Sequence, residues 1–106
     1  MGNEYQLQLD PGERGITDQR LEAILCKAPN YHGRVQYPHH CAFEFRTPET
    51  LTRGDHSMPD LYVIGQDHQV NICQYGDYDT TINVLGRLVD ELVSEATFES
   101  ITVIKP

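Results

Sequence analysis

An α+β fold, a two-layer sandwich with two helices on one face of a mainly antiparallel five-stranded sheet, is what this sequence predicts. Three observations carry the prediction. Between Thr80 and Ala96 the apolar residues Ile82, Leu85, Val89, Leu92 and Ala96, flanked by Leu88 and Val93, recur at three and four, which leaves a broad helical stripe that must lie on a sheet. Tyr5, Leu7 and Leu9, and again Cys41, Phe43 and Phe45, alternate with other residues in the period-two pattern of strands buried on one side. A short apolar run, Leu61 to Ile64, and a strand from Val70 to Tyr75, with Val70 and Ile72 on one face and Asn71 and Cys73 on the other, flank the turn Gly65 to Gln69 and read as a hairpin.

Taken along the chain, the first strand covers about residues 4 to 10, and Pro11 to Gly15 is a turn-forming segment. Thr17 then stands where a hydroxyl can cap a helix whose Leu21, Ile24, Leu25 and Ala28 share a face, and Pro29 ends it by removing a backbone donor. Arg34 to Arg46 reads as one extended strand interrupted by Pro38, and hence as an edge strand or a bulged one near Tyr37 to His39. Thr47 to Asp60, with Pro48, Gly54 and Pro59, reads as a long loop. The near-continuous Leu61 to Ile64 suits a central strand. Asp77 and Asp79 precede the long helix as N-caps, and Ile101, Val103 and Ile104 make a last strand. The order is β-α-β-β-β-α-β in a single domain spanning 1–106, and a split β-α-β layout sets the two terminal strands close together in the sheet.

Composition limits the function classes. No run approaches the ~20 apolar residues of a membrane span, and the first residues, Met-Gly-Asn-Glu-Tyr, have neither the basic start nor the apolar centre of a secretory signal, which reads as cytoplasmic. Three cysteines without a C-x-x-C pair read as reduced thiols. Charge is unevenly spread. Residues 1–54 hold seven acidic and six basic side chains, net −1, whereas residues 55–106 hold nine acidic and two basic, net −7. That balance argues against nucleic acid as a partner, since phosphate recognition needs a basic face, and it suits a basic protein.

Two stretches could carry chemistry. Tyr31, His32, Tyr37, His39, His40 and Cys41 crowd together, with His56 beyond them. On a strand, His39 and Cys41 would share one face and His40 the other, but the spacing matches no standard zinc pattern. Cys41 as a nucleophile would need a histidine brought close by the fold, and its phase with Phe43 and Phe45 points it inward. In Asp77-Tyr78-Asp79, two carboxylates one residue apart could share a hard cation, yet no Gly-rich phosphate loop accompanies them and helix capping accounts for them. The expectation is therefore no catalytic residues, no metal and no cofactor.

The leading reading is a small acidic binding protein of the immunity-protein or antitoxin sort, blocking the active site of a basic toxin such as a nuclease. Its contact surface would hold Asp55, Asp60, Asp67, Tyr75, Asp77, Tyr78 and Asp79, with Tyr62 more suited to ordinary strand packing. One alternative is a metal-binding or thiol-dependent enzyme centred on His39, His40 and Cys41. Another is a structural subunit that adds an edge strand to a further chain. Oligomeric state is not encoded in any pattern found in the chain.

Overall fold

The computed structural model describes residues 3–10, 16–54, 57–66, 69–94 and 100–105. The described residues form β1 (Asn3–Asp10), α1 (Asp18–Leu25), β2 (Tyr31–Gln36), β3 (Cys41–Phe45), α2 (Pro48–Thr52), β4 (Leu61–Gln66), β5 (Gln69–Gln74), α3 (Tyr78–Ser94) and β6 (Ser100–Ile104). The fold is α+β, with six strands in the order β2-β3-β4-β5-β1-β6 and every neighbouring pair antiparallel. The terminal strands β1 and β6 are direct neighbours, and β4 lies inside the sheet, as their patterns predict.

One strand and one helix exceed the sequence expectation, and both have local causes. Residues 34–46 are not one strand broken by a proline. Tyr37 to His40 is a turn, in which the Tyr37 N–H donates to the His40 carbonyl at 2.8 Å, and β2 and β3 pair across it. Pro38 sits where no ladder donor is needed. The long loop is shortened by α2, a five-residue helix with Pro48 in its first turn and Thr47 as its cap. Proline at that place is pre-set for a helix start.

α1 begins as expected, its cap Thr17 accepting the Arg20 N–H at 3.1 Å. It ends at Leu25, with Cys26 as the C-cap, before Pro29 is reached. Asn30 then turns the chain with a positive φ of 70°, a conformation asparagine tolerates better than most side chains, and its amide donates to Thr80 Oγ1 at 3.0 Å.

The core lies between one sheet face and the helices. Leu7, Phe43, Phe45, Leu61, Val63, Val70 and Ile72 from the strands meet Leu21, Ile24 and Leu25 of α1 and Val84, Leu88 and Leu92 of α3 in one cluster. Gly65 lies on this same face, and a Cβ there would come within 3.1 Å of Leu21 Cδ2, so the glycine lets α1 sit close to the sheet.

The long helix turns a different side to the sheet from the one its spacing predicts. Its buried residues are Thr80, Thr81, Val84, Leu88 and Leu92, while Ile82 is 47% and Val93 59% exposed. Leu85 and Val89 are only partly buried. The helix carries more apolar residues than one face can hide, and packing against α1 and the sheet selects the Val84–Leu88–Leu92 line. Ala96 falls outside the described residues. What remains of the expected stripe forms, with Val103 of β6, an apolar groove along the sheet edge.

Candidate functional site: the open sheet face

Alternation along a strand sends every second side chain away from the helices. The register then decides which of these side chains meet. Glu4 of β1 pairs with Cys73 of β5, Cys73 with Tyr62 of β4, and Tyr62 with Glu44 of β3, so four residues from four strands form one row across the open face. Gln6, Asn71 and Ile64 form the next row.

The β3 end of this face is closed. Glu44 and Arg46 are 8% and 6% exposed, and Arg46 Nε and Nη2 both donate to Glu44 Oε1, at 3.1 and 2.9 Å. Arg46 also donates to the Ser57 hydroxyl and carbonyl, which ties the segment before β4 onto the sheet. The guanidinium is thus satisfied on both sides, as a buried charge must be.

Beside the ion pair stand three tyrosines from three parts of the chain: Tyr37 from the β2–β3 turn, Tyr62 from β4, and Tyr75 just after β5. The Tyr62 and Tyr75 rings meet edge to face, 5.9 Å between centroids at 85°. Burial pushes the Tyr62 hydroxyl up to about 12, helped by its hydrogen bond with Tyr37 and the charge of Glu44. The Tyr75 hydroxyl is also raised, by burial first and then by Cys73 and Glu4. Tyr37 and Tyr75 nevertheless keep 38% and 45% of their surface in solvent.

The residues expected at a contact surface separate into three groups. Tyr75, Tyr78 and Asp79 are exposed, with Tyr78 and Asp79 in the first turn of α3. Asp77 caps that helix: its Oδ2 accepts the Thr80 N–H at 3.0 Å and the Thr80 hydroxyl at 2.7 Å, which leaves Asp79 as a first-turn carboxylate and not the cap. Asp60 is placed inside, which corrects its assignment to the surface. It is 6% exposed, and its carboxylate accepts the Thr47 N–H at 2.8 Å and the Asp77 N–H at 3.2 Å. Burial alone would raise its pKa, but hydrogen bonds from Thr47, Thr50 and Asp77 outweigh that and hold it below the ordinary value. The hollow between Thr47, Thr50, Arg53 and Gly76 therefore already contains its own anion. Asp55 and Asp67 lie outside the described residues, as does His56.

The histidine–cysteine cluster does not assemble. His39 and His40 are exposed in the turn and not on a strand, with His40 stacked on Tyr37 at 5.0 Å, whereas Cys41 is buried at the start of β3 and donates to Gln36 Oε1 at 2.6 Å. Among the described residues, no three His, Cys, Asp or Glu side chains gather where they could hold a metal ion. Cys73 is the thiol on the open face, and burial followed by the charge of Glu4 pushes it up, away from the thiolate a nucleophile requires.

Sequence reasoning missed Glu4, Gln6, Asn71 and Tyr37 as members of one surface. Their signal was the polar half of each strand's alternation, which is uninformative until the register pairs the strands. Comparison with protein-family models, curated proteins and solved structures yields no match. No helix among the described residues is long and apolar enough to cross a membrane.

Proposed function

We propose that this chain is a small acidic binding protein that acts in the cytoplasm as an immunity protein or antitoxin, neutralising a basic toxin such as a nuclease by occupying its active site, without catalysis of its own. The observation that carries the reading is the open sheet face, where Tyr62 and Tyr75 meet edge to face near Tyr37 and the charge of Glu4 reaches Tyr75. Half-exposed tyrosines offer a rigid apolar body with a polar tip, the composition of interface hot spots. The net charge of −8 supplies the long-range attraction for a basic groove. Asp79 and Tyr78, exposed in the first turn of α3, are further contact candidates, while Asp60 and Asp77 act through the fold.

Recovery of the partner by co-purification, followed by association kinetics, tests the proposal. Association should be fast and should slow steeply as salt shortens the screening length from ~30 Å at 0.01 M to ~3 Å at 1 M. Tyr62→Ala and Tyr75→Ala should speed dissociation. A partner whose association ignores salt and whose dissociation ignores both tyrosines would sink the proposal.

One observation favours the edge-strand subunit as a second reading. The groove of Ile82, Leu85, Val89 and Val103 runs beside β6, which among the described residues pairs with a strand on one side only. Binding there would depend on Val103 and would be indifferent to salt.

A further inference from the structure

We infer that a hollow on the open sheet face, lined by Glu4, Tyr5, Gln6, Ile64, Asn71 and Cys73, receives one arginine side chain of the basic partner. The inference rests on the proposed function and names the chemistry by which its surface recognises the partner. The hollow has a volume of about 210 Å³. That is below the ~300–1,000 Å³ typical of small-molecule sites and suits a single long side chain.

Its lining selects a cation on an apolar stem. Ile64 of β4 supplies the apolar surface for methylene groups, and Glu4 of β1 supplies the charge. Glu4 is exposed and makes no ion pair or side-chain hydrogen bond among the described residues, and the same holds for the hydrogen bonds of the Gln6 amide. Asn71 Oδ1 takes one hydrogen bond, from Gln69 Nε2 at 3.2 Å. The negative field of Glu4 reaches across the hollow, since its charge contributes to the raised pKa of both Cys73 and Tyr75. An anion would be repelled here, and a purely apolar group would strip water from the carboxylate and amides without replacing its hydrogen bonds.

Between the two long cations the surroundings favour arginine. A guanidinium presents donors in a planar fork that can meet a carboxylate in two parallel bonds and an amide oxygen with a third, whereas a lysine ammonium is a strongly hydrated point charge. The edge-to-face pair of Tyr62 and Tyr75 stands next to the row of Glu4 and Cys73, since Cys73 pairs with Tyr62 in register.

The test is a titration of the ¹⁵N-labelled chain with the blocked tripeptide acetyl-Gly-Arg-Gly-amide, alongside its lysine and citrulline counterparts. The arginine peptide should give saturable amide shifts centred on residues 4, 6, 64, 71 and 73, with a roughly millimolar Kd. Glu4→Gln should weaken binding roughly tenfold. Glu49→Gln, which removes the same charge from α2, should leave it unchanged. The absence of saturable shifts, an equal response to citrulline or to lysine, or an equal loss in the two variants would overturn the inference. The titration needs no partner, so failure to find a basic toxin leaves its result standing. Conversely, a partner whose binding survives Glu4→Gln unchanged would remove the arginine site and leave the proposed function in place.

Discussion

The two faces of the sheet are built from alternate residues of the same strands, yet they do different work. On the covered face Leu7, Phe43, Phe45, Leu61, Val63, Val70 and Ile72 are all 0% exposed and are closed by α1 and α3. On the open face the exposure is graded. Its β3 end is shut by the Glu44–Arg46 pair and Ser57, its middle carries half-exposed tyrosines, and its β1–β5 end is open around Glu4 and Asn71. The covered face secures the fold by burying apolar area, which is non-directional. The open face uses directional contacts: where they are satisfied within the fold they hold segments together, and where they are not the side chains face solvent.

The largest expected effect breaks the closed end of the open face. Arg46→Ala leaves Glu44 buried without its counter-charge and should cost ~3–5 kcal/mol in urea denaturation. The double change Glu44→Leu with Arg46→Met should recover most of that loss, because well-packed apolar residues replace a buried pair at little cost. If the double variant is no better than the single one, Arg46 matters through Ser57 and not through Glu44.

On the covered face, Leu88→Ala should cost ~2–5 kcal/mol, since Leu88 is fully buried. Leu85→Ala should cost less than half as much, and Ile82→Ala should fall within ~0.5 kcal/mol of the parent. Equal losses at all three positions would mean that the helix presents the side its spacing first suggests.

Asp60 lies where the two structural modes meet. A Cβ at residue 76 would collide with its Oδ1 and approach its Cα at 3.3 Å, so Gly76→Ala should destabilise by ~1–3 kcal/mol. The folded state holds the Asp60 carboxyl below the ordinary value of 3.8, so its contribution is complete above that pH and is lost as pH falls through the lower folded value. Acid unfolding followed by circular dichroism should therefore show a shallower pH dependence below about pH 4 in Asp60→Asn. Parallel curves would place the acid sensitivity on other carboxylates.

The smallest effect on stability should come from the available part of the open face. Tyr75→Ala removes a side chain that is 45% exposed and should change folding stability by ~0.5–1 kcal/mol, while on the proposed function it weakens binding of the proposed partner by ~2 kcal/mol or more. Calorimetry on the free chain and on its complex separates the two numbers. A loss confined to stability would make Tyr75 a packing residue.

Much of this molecule follows from local spacing. Alternation in β1, the Thr17 cap of α1, the β4–β5 hairpin and the Asp77 cap each depend on residues a few positions apart, so the sequence alone specified them, whereas β3, expected to be buried on one side, is buried on both. Two local features differ from the sequence expectation although their signals are local: the Tyr37–His40 turn, where Pro38 marks a reversal and not an interruption, and α2, whose Thr47-Pro48 start is a recognisable helix signal. The remaining features were settled by tertiary structure. Helix α3 offers seven apolar residues between Ile82 and Val93, and only contact with α1 and the sheet decided that Val84, Leu88 and Leu92 go inside. Asp60 reads as a surface charge until Thr47 and Asp77, 13 and 17 residues away, turn their N–H groups onto it. Glu4 becomes a neighbour of Cys73 and Tyr62 only through the pairing of β1, β5 and β4. Period fixes which side of an element is apolar; register and packing decide which polar residues meet, because those contacts join segments whose separation along the chain carries no periodic signal.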